Sequence, residues 1–353
     1  MRIQPDDTNE LQQCSIAMWG PTQSGKDWLI RAFAKELSYY NEHDPDFKYE
    51  LSELAPDDAD ETIYRVDPPD DIAATPGRED QRFCFKRIDV RKKNHIYSNT
   101  QVHEIIIHNA AGGELVDSLS DQKAYNAAYQ ALIHAKSIII TLGPPHLSLP
   151  YKAEESFDQN NTLDIPVDCD AGSHPEVKAF EEGLYSEDAM SGEWTVDQYL
   201  EFIDRLFQIL PRNVSRNIAI CITKSDQGYY VGNPWTVLAQ VYGPGLISLL
   251  KKSMHQHSIK VFLTSAAGYI ANRNNKGKEA PNFLEGKLIS AEKWNPVNAA
   301  LPFFWIFQQI EMDRLRSGPI IFRNDRMRSY VKYPESRRRV EKEINDGKKT
   351  GTK

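Results

Sequence analysis

"SIAMWGPTQSGKDWLIRAF", residues 15–33, joins three unlike pieces without a gap. The apolar run "CSIAMW" (14–19) has strand length, the middle is glycine-rich, and Leu29, Ile30, Phe33 and Leu37 return at helical spacing. Gly20, Gly25 and Lys26 fit the spacing G-x-x-x-x-G-K. A tight loop between a strand and a helix start aims several backbone amides at one point, and Lys26 adds a full positive charge there. Such a loop cradles phosphates with the amides of residues 22–27, Gln23 and Ser24 among them, while Lys26 neutralises the outer phosphates. The pattern calls next for Ser or Thr, whose hydroxyl ligates Mg²⁺, and Asp27 stands there instead.

Outward from this stretch, strands and helices alternate. "RFCFKRIDVR" (82–91) and "QVHEIIIHN" (101–109) read as a strand pair, "QKAYNAAYQALIHA" (122–135) as a helix and "KSIIITLG" (136–143) as a buried strand. A helix over 195–210 with Thr195 as N-cap, a buried strand at 217–223 and helix over 234–257 come next. A last strand at 259–265, a Gly- and Asn-rich loop and a final helix over 295–315, with Pro296 near its first turn, complete the series. The order predicts a three-layer α/β fold: a mostly parallel sheet with helices on both faces. Residues 144–192 have no period and read as a large insertion, and 41–81 as an acidic loop too polar to pack.

The composition of the 353 residues is that of an ordinary globular protein, with a net charge of −8. No apolar run reaches the roughly 18 residues of a membrane span, so no membrane association is expected. The start, "MRIQPDDTNELQQ", lacks the regions of a signal peptide, and a cytoplasmic protein is expected. Cys14, Cys84 and Cys221 lie in apolar runs as small hydrophobes, and Cys169 adds no metal-ligand spacing. Residues 41–80 carry fourteen acidic side chains against Lys48, Arg65 and Arg78, and the tail 317–353 is basic. Both read as solvated segments, and nucleic acid is not an expected partner.

In an open α/β sheet, ligands bind beyond the carboxyl ends of the strands, so the residues just past each strand carry the chemistry. After 101–109 comes "NAAGGE" (109–114), and after 217–222 comes "TKSD" (223–226), matching [N/T]-K-x-D. In this match to the guanine-specificity motif, opened by Thr223, the Asp226 carboxylate can accept two hydrogen bonds from guanine N1 and N2, while Lys224 lies along the base and braces the phosphate loop. Adenine has no such donor pair, and an Asp left unpaired costs about 1–3 kcal/mol. After the last strand comes "SAAG" (265–268), similar to the S-A-x of guanine-binding folds, a likeness that implies, by position behind Ser265, that the Ala266 amide meets guanine O6.

Four such stretches in this order resemble the Ras-like P-loop GTPases of the translation-factor-related class, over about residues 13–316. More narrowly, "NPVNAALPFFWIFQQIE" and the large insertions resemble the bacterial double-GTPase family, associated with conflict and signalling systems, though one GTPase-like domain is visible. Residues 1–12 are then an N-terminal extension and 41–81 the region of the first switch. The resemblance implies GTP or GDP with Mg²⁺ as ligands, and a protein partner at the switches. It also implies that the Gly112 amide meets the γ-phosphate and that a switch Thr, Thr75 or else Thr62, holds Mg²⁺. Aligned so, Asn109 replaces the Asp of D-x-x-G and Gly113 the catalytic Gln, leaving Glu114, His108 or a residue of a partner protein to assist. The negative charge has moved from residue 109 to residue 27, which implies Asp27 as a metal ligand. The expected function is a switch with slow GTP hydrolysis; the alternative is a pseudo-GTPase scaffold that binds without hydrolysis. The aromatic cluster Phe303, Phe304, Trp305 and Phe307 reads as helix-to-sheet packing, and His255 with His257 as a poor metal pair.

Overall fold

Side-chain alternation along the first strand divides the molecule into its two cores. In β1 (Gln12–Trp19), Cys14, Ile16 and Met18 enter one hydrophobic cluster, while Ala17 and Trp19 enter the other. The computed structural model describes residues 12–21, 24–54, 61–63, 79–90, 100–109, 127–145, 194–226, 232–271, 279–284, 287–317 and 333–334. After β1 come α1 (Lys26–His43), β2 (Phe47–Leu54), β3 (Glu61–Ile63), β4 (Glu79–Asp89), β5 (Thr100–Asn109) and α2 (Ala127–His134). Next in the chain are β6 (Ser137–Leu142), α3 (Val196–Ile209), β7 (Asn217–Ile222), α4 (Pro234–Ser253) and β8 (Ser258–Leu263). Four short strands, β9 (Tyr269–Ala271), β10 (Glu279–Pro281), β11 (Phe283–Leu284) and β12 (Lys287–Leu288), precede α5 (Leu301–Ser317).

Eight strands form one sheet in the order β3-β2-β4-β5-β1-β6-β7-β8. From β5 to β8 all neighbours are parallel, and β4, β2 and β3 add antiparallel strands. β6 and β7 are buried at every residue, as parallel strands covered on both faces must be. One face carries α1 and α5, with Phe33 stacked on Phe303 at 4.3 Å. The other carries α2, α3 and α4. This is the expected three-layer α/β fold, and the cluster from Phe303 to Phe307 is core. Thr195 caps α3 through a reciprocal box with Gln198, as its sequence predicts. Cys14, Cys84 and Cys221 are buried thiols outside any disulfide, and burial pushes that of Cys14 up to about 12.

Four expectations need correction. The stretch 41–81 is not all loop: Phe47, Tyr49 and Leu51 point into the core from β2, while Lys48 and Glu50 take the wet face. A half-buried strand needs only every second residue apolar, so acidic content does not forbid it. The final helix starts at Leu301 rather than residue 295. Val297 is instead bridged to Ser265, and Asn298 has φ 60. Buried Glu36 of α1 accepts from the amides of Asn298 (2.8 Å) and Ala300 (2.7 Å), a carboxylate at the start of α5. α4 stops at Ser253 and is kinked at Gly243 (φ 80), ahead of Pro244.

The fourth correction concerns the basic tail, which is not wholly a solvated end. Tyr333 is buried: its hydroxyl donates to Glu311 (3.1 Å), and Arg87 lies between its ring (4.2 Å) and that of Phe47 (3.7 Å). A phenol combines a large apolar body with one donor, which suits a cleft closed by a carboxylate. Within 122–135 the described helix is Ala127–His134, and most of the 144–192 insertion lies outside the described residues.

Candidate functional site

Parallel neighbours β1, β6, β7 and β8 end on the same side of the sheet, which brings together loops distant in sequence. Gly25, at φ 84, turns the chain into α1 as its N-cap. Only glycine takes that angle without strain. Gly20 is needed for space: a Cβ there would lie 2.1 Å from the Thr141 hydroxyl on β6. The Ser24 and Thr141 hydroxyl oxygens are 2.7 Å apart, both buried, which pins the loop to the end of β6.

Lys26 turns back into the loop and donates to the carbonyls of Gly20 (2.8 Å) and Pro21 (3.0 Å). It is 6 % exposed. Burial pushes its pKa down to about 8, against the pull of Asp27. An ammonium so enclosed is poised for anionic oxygens that would replace these carbonyls. Asp27 occupies the first turn of α1, half-buried, where the helix dipole favours a carboxylate.

The "TKSD" turn is tied to this loop. The Thr223 hydroxyl donates toward the Ser24 carbonyl (2.7 Å) and lies 3.1 Å from that of Leu142. Lys224 has φ 54, a left-handed backbone rare for a side chain of its size. The Ser225 amide donates to Thr264 at the end of β8 (3.1 Å), and Asp226 is 1 % exposed. Ser265 exchanges backbone hydrogen bonds with Val297, and its hydroxyl accepts from the Gly268 amide (2.8 Å). Gly268, at φ 78, lies so close to Asn295 that a Cβ would be 1.9 Å from its carbonyl oxygen. Ala266 is held by its carbonyl, which accepts from the Trp294 indole (2.8 Å).

Gly20, Ser24, Gly25, Lys26 and Asp27 thus share one end of the sheet with Thr223, Lys224, Asp226, Ser265 and Ala266. Gln23, Thr75, Gly112, Gly113 and Glu114 lie outside the described residues. Thr62 does not suit the switch role, because it pairs with Glu53 in β3, four strands from β1 and so about 19 Å away. His108 pairs with the Ser15 hydroxyl (3.1 Å), a bonded strand residue. His257 is buried, and burial and Arg216 lower its pKa; among the described residues no cluster of His, Cys, Asp and Glu could alone hold a metal. One carboxylate, Asp27, fits a Mg²⁺ held mainly by phosphates and water. Sequence reading missed Thr141, whose signal is a polar residue closing the apolar run "SIII" and whose hydroxyl meets that of Ser24.

No family model and no curated protein matches the chain. Among solved structures it is similar to the signal recognition particle receptor SRβ in its GTP/SRX complex from Chaetomium thermophilum. That match has 12% identity and a TM-score of 0.35, and covers 73% of this chain and 92% of the other. It is also similar to Aquifex aeolicus Era bound to GDP and aluminium fluoride, at 13% identity and a TM-score of 0.27 over 72% of this chain and 52% of Era. The GTPase-like domain of S. cerevisiae Ski7, bound to GDP and phosphate, matches at 10% identity and a TM-score of 0.31, over 81% of this chain and 49% of that one. At these values the fold rests on the strand order itself, which runs with a phosphate-type loop on β1. No helix among the described residues is long and apolar enough to cross a membrane.

Proposed function

We propose that this protein is a guanine-nucleotide-binding switch with slow GTP hydrolysis. The observation that carries the reading is the hydrogen bond from Thr223 to the Ser24 carbonyl, which joins a turn of base-reading sequence to a loop of phosphate-binding sequence. Lys26 and Asp226, both buried charged residue types, support it, since burial of such groups is costly without a purpose. In this reading Lys26 and the loop amides hold the phosphates, and Asp226 reads guanine N1 and N2. The Ala266 amide meets O6, and Asp27 with Thr75 holds Mg²⁺, which would neutralise phosphate charge. Gly112 and Glu114 serve the γ-phosphate, and the region 41–81 receives a protein partner. The narrower likeness in sequence extends the proposal to a bacterial conflict or signalling system.

Asp27 in place of the metal-binding hydroxyl favours a second reading, a pseudo-GTPase scaffold that binds nucleotide without chemistry. Phosphate release from GTP separates the two. Calorimetry tests what they share: GDP and GTP should bind at least about 100-fold more tightly than ATP. Asp226→Asn should narrow that ratio, because an amide cannot accept from both guanine donors. Equal affinity of the unmutated protein for GTP and ATP overturns the guanine reading.

A further inference from the structure

Trp28 stands two residues beyond Lys26, in the first turn of α1, yet it does not join the helix-to-sheet core. Leu29 and Ile30, its neighbours, are 1 % and 2 % exposed, whereas Trp28 stays half-buried. Its ring meets Trp294 edge to face, with centroids 6.4 Å apart and planes at 83°. Trp294 is itself buried, donates its indole proton to Ala266 (2.8 Å) and lies 5.8 Å from the Lys35 ammonium. A chain of contacts therefore runs from the start of α1, across two indoles, to the loop assigned to the base.

We propose that Trp28, braced by Trp294, is the apolar wall against which the nucleoside end of the nucleotide packs, a positioning residue rather than a catalytic one. The proposal rests on the nucleotide reading above. A nucleotide with its phosphates at Lys26 and its base at Ala266 must cross the span between them, and Trp28 stands at one end of that span while touching the support of the other. An indole offers ribose and base a broad surface at little entropic cost, because it has only two rotatable bonds and Trp294 already holds it. Trp294 also makes the wall and the base loop move as one: displacing Trp28 disturbs the partner that anchors Ala266.

The test measures GDP and inorganic pyrophosphate binding to the unmutated protein, Trp28→Ala and Trp28→Phe by calorimetry, with tryptophan emission followed in parallel. Trp28→Ala should lose roughly 5- to 100-fold in GDP affinity, and Trp28→Phe should recover most of it. Pyrophosphate affinity should change by less than about twofold in both, since it lacks the nucleoside. GDP should alter the emission of the unmutated protein, and that change should largely vanish in Trp28→Phe. Equal GDP affinity in all three proteins overturns the role of Trp28 and leaves the nucleotide reading standing. Parallel loss of GDP and pyrophosphate also overturns it, because Trp28 would then only support the phosphate loop. No GDP binding by the unmutated protein overturns the nucleotide reading, and this proposal with it.

Discussion

The Thr223 hydroxyl lies 2.7 Å from the Ser24 carbonyl, although 199 positions separate the two in sequence. The "TKSD" turn and the loop from Gly20 to Lys26 are therefore held as one body at the ends of β7 and β1. Removing the hydroxyl should loosen both at once. Thr223→Val is expected to weaken GDP binding by about 2- to 10-fold, the worth of one net hydrogen bond, while Thr223→Ser retains it. Calorimetry of the two variants decides; affinity unchanged in Thr223→Val would show that the hydroxyl does not matter.

Lys26 predicts a pH dependence. Burial holds its pKa near 8, below the ordinary 10.5, and phosphates need the charged form. Below pH 8 Lys26 is already charged, so binding takes up no proton there. Between about 8 and 10.5 binding must charge it, and nucleotide affinity should fall with pH by up to tenfold per unit. Stability of the ligand-free fold runs the other way, because the unfolded chain keeps the proton longer and stability rises across that window. Affinity that stays flat from about pH 7 to 10 removes Lys26 from the phosphate site.

Asp27 predicts a dependence on metal. As a ligand, its carboxylate helps hold phosphate through Mg²⁺; without the ion it repels the same phosphate. Chelation should nearly abolish GTP binding by the unmutated protein, and Asp27→Asn should partly restore metal-free binding. Asp27→Ser should bring the metal dependence nearer that of a hydroxyl site. Binding by the unmutated protein that ignores Mg²⁺ would sink this account, and the guanine contacts would survive it.

Glu36 predicts a stability effect separate from the site. It accepts from two amides, of Asn298 and Ala300, in a buried position at the start of α5. Glu36→Ala leaves both without that acceptor and should destabilise the fold by about 2–4 kcal/mol, read as a lower midpoint in urea. Nucleotide affinity per folded molecule should hold. A midpoint unchanged from that of the unmutated protein refutes the capping role.

Local sequence carried the tight turn from β1 into α1, because Gly20, Gly25 and Lys26 lie close in the chain and the geometry depends on a few backbone angles. It carried the parallel strands too, since "SIIITL" and "NIAICI" are apolar at every face that helices cover. It lost β2 because fourteen acidic residues between 41 and 80 obscured the alternation of Phe47, Tyr49 and Leu51. It misplaced the start of α5 for a different reason: "NPVNAA" has helical spacing, and its conformation is set by Glu36, some 260 residues earlier.

The sequence by itself therefore determined the parallel strands, most of the helices that cover them and the order of the loops at the strand ends. Those properties depend on periodicity and on backbone freedom over a few residues. Tertiary structure alone decided which loops act together: Thr223 with Ser24, Ser24 with Thr141, Ala266 with Trp294 and Trp28. These contacts exist because parallel strands put their carboxyl ends side by side. A hydrogen bond or a ring contact is made within a few ångströms in space, whatever the distance along the chain.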